Sequence, residues 1–130
     1  MALEIIGAIV WGAIIGIIDI AFMVSDLSGD AKSTVAHGLS SMIYIIALTF
    51  AALNIEFIVN LGLPSFLSNQ IIMLILLGLI AIIVVHAKSA VFSRARGPGT
   101  HERWAHSLVI GILVAATPYI WPFIRSYLPF

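Results

Sequence analysis

Charge is what this chain has least of. Only 9% of its 130 residues are Asp, Glu, Lys or Arg, and six basic side chains balance six acidic ones. A soluble domain of this size carries about a quarter charged residues. Twelve charges cannot cover a water-facing surface for a chain that is 62% hydrophobic with a mean hydropathy of +1.16. The lack of a basic excess removes the counterion-release term on which nucleic-acid binding depends. Cysteine is absent altogether. That excludes disulfides, thiolate zinc and iron–sulfur sites, c-type haem attachment and thiol redox catalysis. What remains is an integral membrane protein.

Apolar runs set the organisation. Ile5 to Ile18 has no polar side chain, and Ile71 to Val85 is equally bare. Met42 to Leu53 is interrupted only by Tyr44 and Thr49, and Leu108 to Ala116 not at all. Crossing ~30 Å of hydrocarbon takes roughly 20 helical residues. With their flanks, the runs predict four transmembrane helices near 3–25, 33–57, 67–90 and 103–125, packed as one small all-α bundle. Polar turns separate them at Asp26 to Asp30, Gly62 to Ser65 and Gly97 to Thr100. Ser65 or Ser68 is the expected cap of the third helix, and Thr100 with Glu102 that of the fourth. Pro118 after Thr117 predicts a kink in the last span.

The first run lacks the basic leader and small-residue cleavage pattern of a signal peptide, so it reads as a retained span. Lys32, Lys88, Arg94, Arg96 and Arg103 flank one pair of connections, whereas Arg125 alone flanks the other side. The positive-inside rule then predicts a cell-membrane protein with both termini outward. Tyr119, Trp121, Tyr127 and Phe130 are expected in an outer aromatic belt, and Trp104 at the inner interface. Lys88, Arg94, Arg96 and Arg103 are expected to contact lipid headgroups or a partner.

Ionisable groups inside a bilayer are the first place to look for function. Asp19 is such a group. It shares a helix face with Ala8, Gly12 and Gly16, a small-residue stripe that admits a second helix closely. His37, Ser41 and Tyr44 form a polar stripe on the next helix, within expected reach of Asp19. These four residues either fix helix register or form a proton- or ion-coupling site. Asp26, by contrast, is expected in a wet turn that tolerates substitution.

His37, His86, His101 and His106 all fall near the inner interface. His37, His86 and His106 are candidate ligands for haem b or a metal ion, drawn from three helices. No HxxxH spacing supports them, and a tightly bound cofactor is not expected. Three functions follow as expectations. The chain is a non-catalytic accessory subunit of a larger membrane enzyme or transport complex. Alternatively it is a homo-oligomeric proton- or ion-coupled transporter or channel using Asp19 and His37, or a haem- or metal-binding anchor. Its partners are lipid and other membrane subunits or copies of itself, and not nucleic acid.

Overall fold

The computed structural model describes residues 3–26, 31–94 and 103–129, leaving out the side chains of 31–33, 37 and 92–94. All regular structure among them is helical. In chain order it comprises α1 (Ile5–Asp26), α2 (Ala31–Leu53), α3 (Ile55–Val59), a 3-10 turn (Ser65–Ser68), α4 (Gln70–Arg94), α5 (Trp104–Ala115) and α6 (Thr117–Arg125). α1, α2 and α4 are each long and apolar enough to cross a membrane. At 1.5 Å per residue α1 alone rises about 33 Å.

The helices pack as a ring in which α1 meets α2, α2 meets α4, α4 meets α5 and α5 returns to α1. Close approach of two helices requires facing side chains that leave room for it. Small residues do so at two seams. A Cβ on Gly12 would stand 2.8 Å from the Ile46 backbone, and one on Gly16 would collide with Met42. The Ala8, Gly12 and Gly16 stripe therefore faces α2, and all three residues are buried. The second seam joins Gly78 of α4 to Gly111 of α5, where an added Cβ would reach the opposite carbonyl oxygen at 2.9 and 2.7 Å. Ile15, Ile45, Ile110 and Val114 fill the centre between the seams.

The helix ends depart from the sequence expectations in instructive places. α2 stops at Leu53 rather than near 57, because Asn54 leaves helical geometry and its amide donates to the Phe50 carbonyl at 2.9 Å. α4 begins at Gln70, capped by neither serine. The Asn69 side chain accepts from the Ile71 and Ile72 amides at 3.0 and 3.2 Å, and Ser65 to Ser68 form the preceding 3-10 turn. Thr100 and Glu102 lie outside the described residues. The positive φ of 100° at Gly62 is a conformation that side-chain-bearing residues rarely adopt.

The expected fourth span is broken into two helices. Pro118 has no N–H to give to the carbonyl four residues back, and α5 and α6 meet at 69°. α5 rises about 18 Å, and the oblique α6 adds only about 5 Å along the same axis. That total is less than the ~30 Å hydrocarbon core, yet the pair still reaches the pole where α1 begins, because Arg125 meets Glu4 there at 2.8 Å. The bend brings α6 back over the bundle end, and Trp121 is therefore a core residue rather than a member of an aromatic belt. It is 4% exposed and its ring occupies the space a Gly7 side chain would take. Tyr119 and Tyr127 remain exposed, and Phe130 lies outside the described residues.

Candidate functional site

Asp19 occupies the turn of α1 after Gly16, and the glycines that draw α2 inward also carry the acid into the bundle. Its accessibility is 0%. Among the described residues, Ser41 of α2, itself 2% exposed, and the charge of Lys88 on α4 act on it electrostatically. Ser41 interacts without aligned hydrogen-bond geometry, so neither carboxylate oxygen has a hydrogen-bond partner among the described residues. An uncompensated buried carboxylate costs several kcal/mol in a protein interior. Either a counter-charge or a proton must offset that cost.

Lys88 is held by α2. Its Nζ donates to Ser40 Oγ at 2.8 Å and lies 4.5 Å from the centre of the Tyr44 ring. Ser40 and Tyr44 are four residues apart, about 40° round the helix, and so present one face to the ammonium. The anticipated stripe of His37, Ser41 and Tyr44 divides accordingly. Ser41 turns inward to Asp19, while Tyr44 is 52% exposed beside Lys88. The His37 side chain lies outside the described residues, as do Arg94 and Arg96 in their headgroup role. Lys88 packs inward against Ser40 and Tyr44, and Arg103 keeps a 78% exposed side chain at the bundle end.

Asp26 departs from the expectation of a wet turn. Its carboxylate is 5% exposed and joins two distant helices. It accepts the Arg103 backbone N–H at 3.0 Å, thereby satisfying an otherwise orphaned donor at the start of α5. Arg103 Nε lies 3.7 Å away and His106 Nδ1 2.6 Å away, the latter off the direction of an aligned hydrogen bond. The His106 ring stacks on Phe22, one turn before Asp26, with centroids 4.2 Å apart.

His86 has a different setting. It stacks on Trp104 at 3.6 Å, and its Nδ1 is 3.4 Å from Ser107 Oγ. Thus two of the three candidate ligands are described, each packed on its own aromatic ring. Among the described residues no three His, Asp or Glu side chains are grouped as a metal site. His101 is not among them.

At the other end, Arg125 Nη1 bonds Glu4 Oε1 at 2.8 Å, and the Glu4 amide donates to Asn54 Oδ1 at 2.9 Å. The first and last helices therefore end together. Asn54 is only 6% exposed. A cleft of about 370 Å³ opens here, lined in part by Glu56, Ser68, Gln70 and Pro118.

Sequence reasoning missed the seat of Lys88 on Ser40 and Tyr44, and Asp26 as an inter-helix cap. The signal for Lys88 was its position inside the last turns of an apolar helix, at the same end as Asp19. Asp26 had no comparable signal, because its partners stand 77 or more residues away. Compared with known protein families, curated proteins and solved structures, the chain matches none.

Proposed function

We propose that the chain is a four-span integral protein of the cell membrane, both termini outward, which assembles with copies of itself and couples proton or ion movement to Asp19. One observation carries this reading: a fully buried carboxylate whose two oxygens have no hydrogen-bond partner among the described residues. Such groups are expensive in a bilayer and mark proton and ion pathways. Assembly belongs to the reading because Ile15, Ile45, Ile110 and Val114 fill the centre of a single copy. Sidedness follows from the basic residues, and the shared end of Glu4 and Arg125 supports an even number of crossings.

Proteoliposomes carrying a pH dye and an imposed membrane potential test it. Wild-type protein is expected to conduct protons or to exchange them for an imposed ion gradient. Asp19→Asn should lower that flux at least ~10-fold, in line with loss of an essential proton-transfer group. Glu4→Gln should leave it intact. No flux above that of empty liposomes would remove the coupling reading.

A second reading, the non-catalytic accessory subunit, is favoured by the outer face of α4. Ile71, Ile75, Leu79 and Ile83 form a ridge at four-residue spacing, each more than half exposed. A neighbouring subunit could seat on it as lipid does. Native mass measurement in mild detergent distinguishes the two readings: a homo-oligomer supports coupling, whereas a fixed hetero-complex supports the accessory role.

A further inference from the structure

We propose that the cleft at the pole of Glu4 and Arg125 is a binding site for a small organic ammonium ion that carries N–H groups and an apolar body. The site is separate from Asp19 and does not rest on the coupling reading. It lies where two helices are interrupted, which membrane proteins tolerate where the irregular backbone lines a cavity. Asn54 divides α2 from α3, Pro118 stands at the bend between α5 and α6, and both line the cleft. A second hollow of about 260 Å³ shares Ile55, Glu56 and Ser68 with the first, of about 370 Å³. Volumes of roughly 300–1,000 Å³ suit small organic molecules.

The chemistry of the wall selects a cation. α2 ends at Leu53, and the carbonyls of its last turn carry the negative end of the helix dipole. The Phe50 and Ala51 carbonyls take the Asn54 N–H at 3.0 and 3.3 Å, whereas among the described residues no donor meets those of Ala52 and Leu53. Both of these residues line the cleft. Glu56 has no ion pair among the described residues, and Arg125 at the same pole is held by Glu4 at 2.8 Å. Ser68 Oγ gives its proton to the Ser65 carbonyl at 2.6 Å, so toward the cleft it can only accept. The amides that begin α4 would attract an anion, but those of Ile71 and Ile72 are already taken by Asn69 Oδ1. The wall therefore offers one full negative charge and several acceptors, and among the described residues no basic side chain lines it.

The same wall sets the kind of cation. Among the described residues no aromatic ring lines either hollow, so nothing builds the cage that holds a quaternary ammonium. Carboxylate, carbonyl and hydroxyl acceptors reward N–H donors instead. A bare metal ion needs several oxygens closed round it at about 2.0–2.6 Å, and a cleft of about 370 Å³ is far wider than that. Ala52, Leu53, Ile55 and Pro118 supply the apolar half against which the body of the ligand packs.

Calorimetry on the full chain in zwitterionic-lipid nanodiscs tests the site, with phenethylammonium as the probe and empty nanodiscs as the blank. Saturable binding of one probe per chain is expected. Benzyltrimethylammonium lacks N–H groups and phenylacetate reverses the charge. Each should bind at least ~10-fold more weakly, the scale of a charge-assisted hydrogen bond. Glu56→Gln should weaken the probe by at least ~10-fold for the same reason. Gln70→Lys, at an exposed position, sets a positive charge in the wall and should also weaken it, which keeps the test decisive where Glu56→Gln fails to fold. Tyr127→Phe, far more exposed and outside the wall, should bind as wild type does. Absence of saturable binding, wild-type affinity in a folded Glu56→Gln or Gln70→Lys, or equal binding of either analogue would overturn the proposal. Displacement of the probe by equimolar sodium would overturn it in favour of a metal ion.

Discussion

At the residue scale, Asp19 and Asp26 resemble each other in the sequence and differ entirely in position. Asp19 is fully buried in the middle of an apolar helix, and among the described residues neither of its oxygens has a hydrogen-bond partner. Asp26 is a cap, shared between the Arg103 backbone and the His106 ring at one end of the bundle. Losing a helix cap costs about 1 kcal/mol, and leaving a buried partner unsatisfied adds about 1–3 kcal/mol. Asp26→Leu should therefore lower the melting temperature of the detergent-solubilised protein clearly. Glu4→Gln, which breaks a largely exposed ion pair worth at most ~1 kcal/mol, should barely move it. Thermal unfolding followed by circular dichroism compares the two, and equal melting temperatures for Asp26→Leu and wild type would refute the cap.

At the element scale, two seams of small residues determine how the helices approach. The α1–α2 seam was legible, because Ala8, Gly12 and Gly16 recur at four-residue spacing on one helix. The α4–α5 seam was not, since Gly78 and Gly111 are isolated glycines whose alignment depends on how two helices cross. Each carbonyl there blocks a Cβ on the facing glycine, and backbone yields far less readily than a side chain. Gly12→Leu and Gly111→Leu should both disrupt assembly, the latter separating α4 from α5. Maintenance of a monodisperse gel-filtration peak and unchanged thermal unfolding in Gly111→Leu would show that this seam is dispensable. The same scale explains the bend. A proline at 118 made a kink predictable, whereas its 69° extent depends on α6 finding a seat where Trp121 covers Gly7.

At the scale of the whole molecule, the polar groups concentrate at two ends. Glu4, Asn54 and Arg125 gather the chain's beginning, middle and end at one pole. Asp26, Arg103 and His106 close the other, which is also the pole of the basic residues. Orientation in the membrane is tested by single cysteines, because the chain has none of its own. In intact cells an impermeant thiol reagent should label Ser126→Cys and spare Ser93→Cys. The opposite pattern would invert the topology and place the Tyr44–Lys88 side of the site nearer the outer face.

The sequence by itself determined the helical class, the apolar runs of α1, α2 and α4, the small-residue face of α1 and the acid that this face carries inward. These are local properties: run length and helical periodicity are readable one segment at a time. Only the tertiary structure decided that Lys88 turns inward to α2, that Asp26 caps a helix 77 residues away, and that Trp121 enters the core. Each of those outcomes depends on how two helices cross, and a crossing is set by the joint shape of both surfaces.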